Sequence, residues 1–160
     1  MAGERLQRRL DRFAPYSYRS DPHLVHLPDD KPIIIFDGVC VLCTGFARFV
    51  IARDPAAHFR LTAAQSPAGQ ALFHHYGLDP ADFETNLLIE NGRAFAKLET
   101  VRRILPRLRR PWPALAVATL WPGRLGDALY DQIARNRYRL FGRMETCMVP
   151  PADWRERIVE

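Results

Sequence analysis

Pro32-Ile33-Ile34-Ile35-Phe36-Asp37-Gly38-Val39-Cys40-Val41-Leu42-Cys43 decides how this chain is read. Ile33 to Phe36 is a short, apolar, largely β-branched run bounded by Pro32 and Gly38, the mark of a buried central strand. Leu42, Phe46, Phe49 and Val50 follow at i, i+4, i+7 and i+8. That spacing predicts one stripe of an amphipathic helix ending near Asp54-Pro55. The two cysteines therefore fall at a strand-to-helix junction, with Cys40 at the helix start and Cys43 one turn inside it. The first turn of a helix offers unpaired N–H groups and the positive end of its dipole, and both favour thiolate over thiol. A thiolate is the nucleophile in disulfide chemistry. Cys40, the outer and better exposed cysteine, is expected to attack. Cys43 can then resolve the mixed disulfide.

Outward from this motif the pattern continues. Phe59 to Thr62 reads as a second strand. Ser66-Pro67 reads as a helix N-cap with proline at the first helical position. The helix that follows turns Ala68, Ala71, Leu72 and Tyr76 inward and closes at Gly77. Asn86–Glu90 and Arg93–Lys97 flank Asn91-Gly92, a strong hairpin signal. Val101, Ile104, Leu105 and Leu108 mark another helix, stopped before Pro111. Two further helical stretches are expected near Ala114 to Leu120 and around Leu125, Leu129 and Ile133. A βαβ unit followed by ββα makes an α/β fold with a mixed sheet flanked by helices, the order of a thioredoxin-like core. The last helices form a C-terminal extension. Residues 1–31 read as an irregular lead-in, 32–150 as the domain and 151–160 as a tail.

The chain's 160 residues suit about one domain. With 48% hydrophobic and 26% charged residues, the composition is that of a globular protein. Its longest apolar stretch, Trp112 to Pro122, has 11 residues, against the roughly 17–25 that span a bilayer. Membrane association is not expected. The start of the chain is arginine-rich, but it lacks the apolar block of a secretory signal, and Glu4, Asp11 and Asp21 weaken a transit-peptide reading. Three cysteines cannot build a secreted disulfide framework. The expected setting is the reducing cytoplasm.

The net charge is +5, and Thr100 to Arg143 holds ten arginines against two acids, Asp127 and Asp131. This basic half reads first as a solvated helical face. An arginine-rich interaction surface is the alternative. No specific nucleic-acid signature accompanies it. A second alternative is a zinc site, with His23 and His26 joining Cys40 and Cys43. Asp37 has two readings. It could tune the dithiol or relay its proton, or it could cap the loop through backbone N–H groups. The run into Asp37 is also similar to the nucleophile strand of haloacid-dehalogenase-type phosphatases, but that chemistry needs a second aspartate where Val39 stands.

Phe36-Asp37-Gly38-Val39-Cys40-Val41-Leu42-Cys43 resembles the signature of the DCC family (DUF393), named for an Asp-x-x-Cys-x-x-Cys motif. A second block, Ile133-Ala134-Arg135-Asn136-Arg137-Tyr138 followed by Phe141-Gly142 and Cys147, is similar to that family's C-terminal segment. The resemblance spans about Pro32 to Pro150. It implies a thioredoxin-like thiol-disulfide oxidoreductase without a cofactor, with Asp37, Cys40 and Cys43 as motif residues. Its partners would be a protein or small-molecule thiol or disulfide substrate and a dithiol electron donor. The sequence departs from ordinary thioredoxins. No proline lies between the cysteines, and Phe83-Glu84-Thr85-Asn86 lacks the proline that thioredoxins set against the dithiol. Cys147 is either a small buried side chain or, if the tail folds back, a second resolving thiol. Asn136 and Arg137 carry donors suited to buried carbonyls or to a carboxylate such as Asp37. Trp112, Trp121 and Trp154 read as packing residues.

Overall fold

The computed structural model describes residues 2–24, 26–79, 85–115 and 123–159. Its centre is β1 (Ile33–Phe36), buried along its whole length. Ile33 and Ile35 face one apolar cluster, while Ile34 and Phe36 face another. A strand buried on both faces reads as a continuous apolar run, and this one does. β1 runs parallel to β2 (Arg60–Ala63) and antiparallel to β3 (Leu87–Glu90). β3 pairs with β4 (Arg93–Ala96), which gives the sheet order β2-β1-β3-β4. The hairpin turn holds Asn91 at φ 50° and Gly92 at φ 75°, the two left-handed positions that a type I′ turn requires. Gly92 has a second constraint: a Cβ there would lie 2.4 Å from the Tyr16 backbone nitrogen.

The helices flank this sheet: α1 (Ala2–Leu10), α2 (Val41–Arg53), α3 (Pro67–His75), α4 (Leu98–Ile104), α5 (Trp112–Leu115) and α6 (Gly123–Phe141). The mixed sheet and its flanking helices have the arrangement of a thioredoxin-like fold. α3 begins where its cap predicts, with the Ser66 hydroxyl accepting the Gly69 N–H at 3.1 Å.

Three expectations need correction. The lead-in is not irregular. α1 packs Leu10 into the core, and Tyr18 and Leu24 are buried beyond it. The Gln7 amide donates to Ala94 O (3.1 Å) and accepts from Ala96 N (3.2 Å). It thus pairs with the free edge of β4, a contact that polar periodicity does not reveal. The tail also belongs to the core: Trp154 and Val159 are buried, and Val159 N donates to Leu61 O. On α2 the buried positions are Cys43, Thr44, Ala47 and Val50, while Phe46 and Phe49 of the expected stripe are only partly buried against the same core cluster. Small side chains let the helix approach the sheet closely. Phe49 also packs edge-on against Trp112.

On α6, Leu129 and Ile133 are 64% and 36% exposed. Among the described side chains of α6, the buried ones are Asp131 and Arg137. Asp131 pairs with the buried Lys97 ammonium at the β4–α4 junction. A charged pair formed across the fold ties this helix to the β4–α4 junction. The expected apolar helix from Ala114 is described only as far as residue 115. Residues 116–120, Trp121 and the Leu125 side chain lie outside the described residues, as do Phe83 and Glu84.

Candidate active site: a dithiol under a C-terminal strap

Cys40 is the N-cap of α2, and its sulfur accepts the Cys43 backbone N–H at 3.2 Å. The thiol hydrogen of Cys43 is shared with Cys40 as well. That side-chain hydrogen bond is the main reason the Cys40 pKa falls, to about 7. Burial and the Asp37 charge oppose the fall, while the Cys43 N–H and the Arg137 charge support it. Cys43 shifts the other way for the same reason: it holds the proton, it is buried, and a thiolate lies beside it. The pair therefore divides into a stabilised thiolate and a retained thiol. Exposure runs against the sequence expectation. Cys40 is fully covered at 0% exposure, and Cys43 is the more open at 7%.

Asp37 follows directly on β1 and is 2% exposed. Four donors converge on its carboxylate. Oδ1 accepts from Val39 N (3.1 Å) and from Gln65 Nε2 (2.8 Å). Oδ2 accepts from Arg137 Nη2 (3.3 Å) and from the Tyr138 hydroxyl. The Val39 contact is the loop-capping geometry, and the Arg137 contact is a buried ion pair. Burial and the hydrogen bond to Asp37 hold the Tyr138 phenol up at about 12. Asn136 is not brought to this site; its amide donates to Gln132 O on α6.

Gln65 is the residue that sequence reasoning missed. Its Nε2 donates to Asp37 while its Oε1 accepts the Gly38 N–H at 2.9 Å. It lies between β2 and the cap of α3, and no motif marks it. Only the parallel pairing of β1 with β2 brings residue 65 beside residue 37.

The reason Cys40 is covered lies at the other end of the chain. After α6 the backbone folds back over the motif as a strap. Met144 N donates to Val39 O (2.8 Å), Met148 N donates to Gly38 O (2.9 Å), and Arg143 bridges to Cys40. The strap sets Cys147 against Gly38, where an added Cβ would lie 2.3 Å from the Cys147 sulfur. Glycine at position 38 is what lets the third thiol pack here. Burial, then the Asp37 charge, push the Cys147 pKa up. Asp37 thus acts electrostatically on all three thiols.

Cys43 opens onto a cleft of about 170 Å³. Leu42, Phe46, Val101 and Ile133 supply apolar walls, and Thr85 and Asn86 add polar groups. The Tyr130 hydroxyl accepts the Asn86 N–H at 3.4 Å. His23 and His26 do not join the cysteines, and among the described residues no cluster of three or more His, Cys, Asp or Glu could hold a metal. Among them also, no helix is long and apolar enough to cross a membrane.

The dithiol cap, its buried aspartate and the C-terminal clamp all fall within one family match. The model of the DCC1-like thiol-disulfide oxidoreductases covers residues 34–143. The chain belongs to this family. YuxK of Bacillus subtilis (strain 168), described as uncharacterized, is 35% identical over 127 residues, which are 79% of this chain and 93% of YuxK. A DCC family protein of Arabidopsis thaliana, described as chloroplastic, is 40% identical over 120 residues, 74% of this chain and 70% of its own. No solved structure matches the chain. The family match reaches Arg143 in the strap, and Cys147 lies beyond it.

Proposed function

We propose that this protein exchanges thiols and disulfides through Cys40 and Cys43. The observation that carries the reading is the split between the two sulfurs: the Cys40 pKa is drawn down to about 7, while Cys43 keeps its proton. The Cys40 thiolate attacks one sulfur of a substrate disulfide. The substrate S–S bond breaks, a Cys40–substrate disulfide forms, and the displaced sulfur leaves as a thiolate that takes a proton from water. Cys43 then gives up its proton and attacks the Cys40 sulfur. The second substrate thiol is released, and a Cys40–Cys43 disulfide remains. The substrate has gained two electrons that the protein lost, and a dithiol donor restores the reduced pair. No cofactor enters these steps. A reducing compartment such as the cytoplasm suits them.

Asp37 is assigned a tuning role. A carboxylate has about four acceptor positions, and four donors already occupy this one. That favours a fixed charge over a proton relay. Cys40 is assigned the attack because of its stabilised thiolate, not its exposure, and the strap must move for a substrate to reach it.

The test is a redox titration in graded dithiothreitol buffers, with free thiols trapped and counted by intact mass. Two thiols mapping to Cys40 and Cys43 should be lost and regained together. Their potential is then read against about −270 mV for thioredoxin and about −120 mV for DsbA. The Cys43→Ser variant should accumulate a mixed disulfide on Cys40. Exchange that survives Cys40→Ser but not Cys43→Ser would reverse the roles. A pair that never oxidises would end the reading.

A further inference from the structure

Five of the large hydrophobic side chains left exposed in this molecule are Val41, Leu129, Ile133, Leu140 and Phe141. All lie on α6 or at the motif beside its end. Leu129, Ile133 and Leu140 are spaced four and seven residues apart, so they share one face of the helix. Leu129 and Leu140 are 64% and 63% exposed. Ile133 also forms a wall of the cleft into which Cys43 opens. At the far end of α6, Gly142 O accepts from Val41 N, and Val41 follows Cys40 directly. The apolar face thus meets the dithiol at two places, through the cleft and through the motif loop. A face of this kind on a soluble surface is costly to leave in water and marks an interaction site.

The charge beside it gives the partner's character. Arg139 lies on α6 about a quarter turn from the apolar row, Arg135 lies further round the helix, and Arg143 follows in the strap. All three are exposed. Among the described residues, none of the three forms an ion pair with a carboxylate; Arg135 donates to the Asp131 backbone carbonyl. The chain as a whole carries +5. An apolar row beside Arg139 and Arg143, neither of which has a carboxylate partner among the described residues, is complementary to apolar residues interspersed with acids.

We infer that this face of α6 is the docking surface for a polypeptide disulfide substrate whose cysteine is flanked by apolar and acidic residues. The inference rests on the thiol-exchange reading above and names its substrate class. A polypeptide is favoured over an anionic lipid surface because the apolar face leads to a cysteine. Only a partner carrying sulfur makes use of that continuity.

The experiment compares two peptide disulfides of equal length. In one the cysteine is flanked by Leu, Phe, Asp and Glu; in the other by Ser and Lys. Hydroxyethyl disulfide is the small reference substrate. The full chain should reduce the acidic-apolar peptide with a kcat/KM at least tenfold above the basic-polar one. The margin should shrink as salt is raised. In the Leu129→Ser/Leu140→Ser double variant, the ratio of the acidic-apolar peptide rate to the hydroxyethyl disulfide rate should fall about tenfold. Circular dichroism checks that this variant folds, and Arg139→Glu provides a second test that leaves the apolar row intact. Equal rates on both peptides, or an unchanged ratio in both variants, would overturn the inference. So would a variant that loses phosphatidylserine-vesicle binding while keeping the peptide ratio, because the face would then be lipid-binding. If no disulfide is reduced at all, the thiol-exchange reading fails. The Cys40→Ser/Cys43→Ser chain still decides docking by its binding to the two peptides in fluorescence anisotropy.

Discussion

Asp37 and Asp54 stand at the two ends of α2, and the molecule treats them alike up to a point. Both are buried. Each collects four donors, and each is clamped by an arginine from the far end of the chain. For Asp37 the clamp is Arg137; for Asp54 it is Arg157. The other donors to Asp54 are His58 N (3.0 Å), His58 Nδ1 (2.9 Å) and Phe59 N (3.1 Å). The difference is position. Asp54 is the C-cap of α2, at the negative end of the helix dipole, where a carboxylate needs a cation beside it. Asp37 precedes the N-terminus of the same helix, where the dipole already favours negative charge and two thiols compete for it. A buried Asp–Arg pair is thus a fold clamp in both places. It bears on chemistry only where its charge reaches a sulfur.

The largest effect expected from this comparison is common to both ends. Asp54→Ala and Asp37→Ala each leave a largely buried guanidinium without its counter-charge. Each should cost about 3–5 kcal/mol in urea unfolding. A loss under 1 kcal/mol at either end would break the parallel. Next comes Gln65→Leu, which removes one donor from Asp37 and the acceptor of the Gly38 N–H. Among the described residues no side chain at Asp54 bridges carboxylate and backbone N–H in this way, so a loss of about 1–3 kcal/mol would be specific to the thiol end. The smallest effect separates the two carboxylates most sharply. In the wild-type protein, Cys40 alkylation by iodoacetamide should rise with pH around a midpoint near 7. Asp37 raises the Cys40 pKa, though it is not the leading influence. Removing its charge in Asp37→Asn favours the thiolate, so the midpoint should move to lower pH. Asp54→Asn should leave the midpoint in place. A matching shift in both variants would mean that the charge acts through general loosening of the fold.

The same contrast explains what the sequence could be made to say. β1, the cysteine pair, the Ser66 cap and the Asn91-Gly92 turn were legible because each is written in adjacent residues with a local physical cause. The rotation of α6 was not. Leu129 and Ile133 mark a helix by periodicity, but among its described side chains the buried ones are Asp131 and Arg137. Their partners, Lys97 and Asp37, lie 34 and 100 residues away, and a periodicity has no means of recording them. Gln65 was silent for the same reason. α1 was hidden because Arg5, Arg8 and Arg9 outweigh a narrow apolar side. The order of exposure at Cys40 and Cys43 was lost because the strap that covers Cys40 lies a hundred residues downstream of it.

That distance has a consequence for the protein as it is made. Asp37, Cys40 and Cys43 are synthesised early, but Arg137 and Tyr138, which hold Asp37, come near the end. At roughly 5–20 residues per second, the interval from Cys43 to Arg137 lasts about 5–20 s. For that time the nascent chain carries two cysteines without the guanidinium that helps the Cys40 thiolate or the strap that covers it. The finished thiol environment is a property of the completed chain only. A truncated translation product would carry the whole Asp-x-x-Cys-x-x-Cys motif and still lack its tuning.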